Sequence, residues 1–212
     1  MGGSVKSRDS NEVEFSRIVA FSDGVFAIAI TLLVLNLSIP EGLPSGEVAG
    51  ALWAEREPLL AFGISFAVVG RFWVLHHRFF GSLNGFDDRL IRLNLLYLAF
   101  IVLIPFSSQV LGAYVDETSA LVTYSANIAA VVLVGMVMTG FAERSGLLAT
   151  SPAQRRLERL RAGYVAAVFL ASIPLAFLLP GLTPLFWFAL VLDPGRKLSS
   201  AWGSDPQTGH SG

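Results

Sequence analysis

The side chains best placed to do chemistry are Asp23, His76, His77 and Asn94, because each lies in or beside a long apolar run. Between Ile18 and Leu37 the only polar side chains besides Asp23 are Ser22, Thr31 and Asn36. An ionised acid inside such a run costs ~2.5–3.5 kcal/mol on membrane-insertion scales, so Asp23 requires a partner or a function. Arg17 lies six residues before it, or ~9 Å along a helix. At the same depth a second run delivers Arg71, Trp73, His76 and His77, and a third delivers Asn94. Polar groups from three segments therefore converge on one layer. That layer is either a functional site or a polar lock between helices, and on residue types alone the lock is favoured, since interhelical polar pairs in membranes commonly serve packing.

Other constellations are weaker. His76 and His77 with Asp87 and Asp88 have metal-compatible donors, but a loop separates the pairs and adjacent histidines point to different helix faces. Ser65 with His76 suggests a nucleophile and base, yet 11 residues separate them, ~16 Å along one helix, far beyond hydrogen-bond reach. No Gly-rich phosphate loop and no Thr-Val-Gly-Tyr-Gly filter run occurs. No resident metal or cofactor is expected.

The elements that position these residues are membrane spans. The 212 residues are 53% hydrophobic and 15% charged, with a mean hydropathy of +0.62, against roughly 25% charged in a soluble domain. About 20 apolar residues cross a bilayer's hydrocarbon, and the chain holds several such runs. They read as Arg17 to Leu37, Pro58 to Phe79, Arg92 to Leu111 with a kink at Pro105, Leu121 to Phe141, and Ala162 to Leu179. A sixth run, Leu185 to Leu192, is too short to span at normal thickness. Glu41 to Glu57 reads as a loop or short interfacial helix anchored by Trp53. Ser151-Pro152-Ala153-Gln154 is a capping-box sequence opening a basic stretch, Arg155 to Arg161, suited to anionic lipid at the interface.

The first run is too long for a signal-peptide h-region and carries an acid in its first third. There are no cysteines, which removes disulfides and thiolate sites. A net charge of −1 gives no sign of nucleic acid. Lys6, Arg8 and Arg17, then Arg71 and Arg78, Arg89 and Arg92, Arg144 to Arg161, and Arg196 with Lys197 flank alternate ends of the runs, whereas Arg56 stands alone among Glu41, Glu47, Glu55 and Glu57. By the positive-inside rule both termini are cytoplasmic and the span count is even. The expected architecture is an all-α integral membrane protein with six transmembrane helices. Residues 1–14 and 196–212 are flexible tails and 15–195 one membrane domain.

On the first run Gly24, Ile28, Thr31, Leu32 and Leu35 share one ~80° stripe, with Asp23 pointing ~140° away. By geometry alone this is a lipid or packing face. The sharper alternative is a pore wall, with aliphatic rings that strip a cation and a threonine ring that supplies oxygens.

Arg17-x-x-x-Phe21-Ser22-Asp23, followed by Gly24 to Leu35, resembles the first-helix motif of the transmembrane protein 175 family, the endolysosomal potassium channels of animals and their prokaryotic relatives. Trp73-x-x-His76-His77 is similar to the family's second motif. The resemblance covers residues 15–195. It implies a single six-helix repeat of the prokaryotic kind, assembling as a homotetramer around a central pore lined by the first helix. By alignment the constriction falls on Ile28, with Thr31 and Leu35 further outward, Gly24 and Leu32 on the same wall, and Arg17, Phe21, Ser22, Asp23, Trp73, His76, His77 and Asn94 as a polar network bracing the pore helix.

The reading is a passive, potassium-preferring leak channel of the plasma membrane, whose partners are further copies of itself, membrane lipids and monovalent cations. The rival is a proton-coupled secondary transporter relaying protons through Asp23 and His77. A transporter is expected to break or polarise a helix at the midplane, whereas the first run is unbroken from Asp23 to Asn36. Whether His76 or His77 faces Asp23 is open at this stage.

Overall fold

The computed structural model describes residues 6–7 and 11–191; Arg8, Arg196, Lys197 and the expected tail 196–212 lie outside the described residues. Helix α1 (Glu12–Leu32) continues as a 3₁₀ turn, Leu33–Asn36. It is followed by the short α2 (Val48–Ala54), α3 (Arg56–Gly81), α4 (Asp88–Val102), α5 (Ile104–Ala113), α6 (Thr118–Arg144) and α7 (Pro152–Leu178). Five of the resulting stretches are long and apolar enough to cross a membrane: 12–36, 56–81, 88–113, 118–144 and 152–178. At 25 residues the first is ~37 Å long, against a hydrocarbon thickness of ~30 Å.

The sixth apolar run forms only a 3₁₀ turn (Pro180–Leu182), the four-residue α8 (Thr183–Phe186) and a second 3₁₀ turn (Trp187–Val191). It folds back on its own protein. Trp187 is buried, donates from Nε1 to Ser172 Oγ at 2.9 Å, and its ring sits 5.2 Å from Tyr124 and 5.9 Å from Phe169.

Each boundary has a local cause. Helix α3 starts two residues before Pro58, which stays in the first turn, where its missing N–H would have no partner. Pro105 does more than kink the third run. It removes the N–H that would bond the Ile101 carbonyl, and the helix breaks at Leu103 into α4 and α5. Asp87 caps α4 by accepting from Leu90 N at 2.8 Å. The α6 terminus closes through Gly146 at φ +68°, with Gly146 N bonded to Glu143 O and Leu147 N to Ala142 O. Ser151 and Gln154 form the expected capping box at the start of α7.

Two apolar clusters hold the bundle. The larger runs through α1, α3, α4, α6 and α7 around Phe26, Val69, Ile101, Tyr124 and Phe169. A smaller one sits at the end carrying the α3–α4 and α6–α7 connections, built on Phe15, Phe80, Leu83, Phe86, Leu90 and Leu147. Above it the short strands β1 (Lys6–Ser7) and β2 (Gly85–Phe86) pair antiparallel. A side chain at Gly85 would lie 2.7 Å from the Lys6 carbonyl oxygen, so the pairing requires glycine there. Lys6 Nζ bonds both carboxylate oxygens of Glu14, at 2.8 and 2.9 Å. The segment expected as a tail thus contributes a strand and the first turn of α1.

Candidate functional site

The convergent layer resolves into two parts, because neighbouring residues on a helix face different partners. Ser22, Asn94 and His76 are buried and link α1, α4 and α3. His76 Nε2 lies 2.8 Å from Asn94 Oδ1, Asn94 Nδ2 donates to Ser22 Oγ at 3.0 Å, and Ser22 Oγ donates to the Ile18 carbonyl at 2.9 Å. An amide oxygen only accepts, so His76 carries its proton on Nε2 and every donor in the chain points the same way. The His76 ring is packed by Phe80 at 4.5 Å, Phe26 at 5.4 Å and Tyr97 at 5.7 Å.

Asp23 belongs to the other part. Trp73 Nε1 donates to Asp23 Oδ1 at 2.9 Å, and the exposed His77 lies against Trp73 with ring centroids 5.7 Å apart. Among the described residues neither histidine hydrogen-bonds Asp23. Arg17 and Phe21 are exposed and flank an open groove with Glu14, Ile91, Asn94 and Leu95. Within one chain they do not join the hydrogen-bonded layer.

Of the stripe on α1, Gly24, Ile28, Thr31, Leu32 and Leu35 are all exposed in the single chain, with Ile28 at 59% and Leu35 at 72%. The opposite side carries Phe26, Ala29 and Leu33, which are fully buried. Thr31 Oγ1 is turned back onto the Ile28 carbonyl at 2.9 Å. The sequence implies an unbroken α-helix to Asn36, but the backbone tightens at Leu33. In a 3₁₀ turn residues i and i+3 eclipse, which sets Asn36 over Leu33. Asn36 Nδ2 donates to the Pro105 carbonyl at 3.1 Å, tying this turn to the break between α4 and α5.

A further polar cluster escapes sequence reasoning. Ser65, set against His76 by type, instead donates to Ser108 Oγ at 2.9 Å and lies 3.1 Å from Tyr124 Oη, with all three buried. Isolated hydroxyls in apolar helices carry no sequence signal that distinguishes a partner across the bundle from a bond to their own backbone.

Comparison with known proteins gives this geometry its context. Residues 17–105 match the family described as "Endosomal/lysosomal potassium channel TMEM175". A protein of Streptomyces collinus named a potassium channel is 35% identical over 203 residues, covering 88% of this chain and 98% of that one. The human endosomal/lysosomal proton channel TMEM175 is 37% identical over 109 residues, 48% of this chain and 22% of its own length. The crystal structure of a lysosomal potassium-selective channel TMEM175 homolog from Chamaesiphon minutus superposes with a TM-score of 0.73 at 28% identity, over 89% of this chain and 98% of that one.

Helices of membrane-spanning length with these relatives define a polytopic α-helical ion channel rather than an enzyme. The chain belongs to the TMEM175 family.

Proposed function

We propose that the chain is one subunit of a homotetrameric, passive, potassium-preferring cation channel of the plasma membrane. Ions pass along the axis between four copies of α1. Residues 15–195 form the channel domain, with the α3–α4 and α6–α7 connections on the cytoplasmic side and the short sixth segment completing the bundle. Ile28 forms the narrowest ring, Gly24, Thr31, Leu32 and Leu35 line the wall, and the Asp23–Trp73 and Ser22–Asn94–His76 contacts brace the helix from behind.

The observation that carries this reading is the asymmetry of α1. Ser22 bonds to Asn94 in the buried interior and Asp23 to Trp73 at the exposed edge between α1 and α3, while large apolar residues on the other side are uncovered. A ring of β-branched side chains admits only a nearly dehydrated ion, and potassium sheds water at less cost than sodium. The relative from Streptomyces collinus is named a potassium channel, in line with that preference.

Flux from liposomes under a potassium gradient, with sodium in parallel, tests the reading. Potassium flux that weakens in sodium is expected, and Ile28→Asn should raise conductance severalfold while eroding the preference. Unchanged currents and ion ratios in that variant would remove Ile28 from the pore. The His76–Asn94–Ser22 chain and Asp23 within an apolar helix favour proton-coupled transport as the second reading. An imposed pH gradient separates them, because only a coupled transporter drives potassium uphill.

A further inference from the structure

Helix α7 combines a basic first half and an apolar second half in one unbroken element, Pro152–Leu178, whose start is fixed by the Ser151–Gln154 capping box. Placed on a wheel at ~100° per residue from Arg155, the residues Arg159, Leu170, Phe177, Arg156, Leu160 and Leu178 fall between ~40° and ~140°. All six are exposed, Phe177 at 70% and Leu178 at 75%. Four of the five buried residues, Val168, Phe169, Ser172 and Ala176, occupy the far side, ~220° to ~320°, and the small Ala166 lies at ~20°, at the edge of the stripe. One apolar stripe therefore runs up the outside of α7, and Arg156 and Arg159 crown it.

The crown is short of negative charge. Glu143 is shared by Arg155 at 3.5 Å and Arg159 at 3.1 Å, so one carboxylate faces two guanidinium groups. Arg155 Nε is buried with no hydrogen-bond partner. From Glu143 to Arg161 the chain carries five arginines against two glutamates and no lysine. Arginine's planar fork matches phosphate oxygens two at a time, which an ammonium does not.

We propose that this end of α7 is a headgroup site for an anionic phospholipid of the cytoplasmic leaflet, a specificity that rests on the membrane orientation proposed above. The phosphodiester is held by Arg156 and by Arg159, whose guanidinium also reaches Glu143, and the acyl chains lie on the half of the stripe nearest the crown, from Leu160 to Leu170, ~15 Å along the helix. Charge complementarity selects the headgroup, and the continuity of crown and stripe selects a lipid over a soluble anion.

Native mass spectrometry of the full-length protein offered phosphatidylglycerol, phosphatidylcholine or inorganic phosphate is the test. Phosphatidylglycerol should be retained over phosphatidylcholine, and R156Q/R159Q should lower that preference about fivefold for each arginine lost. R156K/R159K should fall between the two, since it keeps the charge and loses the fork. Equal retention in parent and R156Q/R159Q would overturn the site. Displacement of phosphatidylglycerol by equimolar inorganic phosphate would also overturn it, in favour of a small-anion site, and a changed particle mass in R156Q/R159Q would assign the stripe to a subunit contact. Retention is measured without ion flux, so its failure leaves the channel reading untouched.

Discussion

At the residue scale, Asn94 holds the site together. Its amide accepts from His76 on α3 and donates to Ser22 on α1, and no other side chain among the described residues bonds both helices at this depth. Interhelical hydrogen bonds in membranes average ~0.6 kcal/mol and reach ~1.7. Asn94→Leu breaks two and leaves His76 Nε2–H buried without an acceptor. Its expected cost is therefore ~1–3 kcal/mol, read as a lowered midpoint for unfolding from bilayer or detergent; an unchanged midpoint would mean the two bonds contribute nothing. That Ser22, Asp23, Trp73, His76, His77 and Asn94 share a layer was legible from run boundaries and helical rise. Who bonds whom was not, because a 100° step between neighbours sends Asp23 to Trp73 and Ser22 to Asn94, and one sequence fixes no helix rotation.

At the element scale, long apolar periodicity and punctuation were readable and short features were not. Pro105 announced a kink, which the structure deepens to a break, and the capping box at Ser151 announced α7, since each acts through its own backbone groups. The two-residue β1–β2 pairing depends on Gly85 meeting a carbonyl 79 positions away in sequence, and nothing local encodes that. This strap fastens the start of α1 to the α3–α4 connection through Lys6 and Glu14. The hydrogen bond to Glu14 raises the Lys6 pKa above its ordinary 10.5, with the charges of Glu14 and Asp88 adding to it. A raised folded-state pKa gives a contribution that is complete below the unfolded value and lost as pH climbs through the folded one. The strap should therefore hold across neutral pH and loosen only in strong alkali. Lys6→Gln should loosen it at pH 7, read as faster amide hydrogen exchange at Gly85 and Phe86; exchange as slow as in the parent would show that the backbone pairing holds without the ion pair.

At the scale of the whole molecule, the single chain leaves one apolar face of α1 uncovered. The first span, 12–36, is the most hydrophobic of the five, yet only 22% of its most apolar stretch is buried in the chain, as little as in the α3 span. Lipid could cover such a surface, as could further copies, and both bury apolar groups equally well because lipid offers no hydrophobic contrast. The two differ in where a reactive group on α1 finds its neighbours. Around a fourfold axis Leu35 of one copy lies near Leu35 of the next, whereas a lipid-facing residue such as Leu170 on α7 meets no equivalent. The chain has no cysteine, so Leu35→Cys and Leu170→Cys each place one thiol per subunit on an otherwise inert background. Mild oxidation in membranes should convert most of the Leu35→Cys protein to disulfide-linked pairs, stopping at dimers because each thiol bonds once. Leu170→Cys should remain monomeric on the same non-reducing gel. Equal cross-linking at both positions, or none at Leu35, would take α1 off the axis and with it the pore assigned to Ile28.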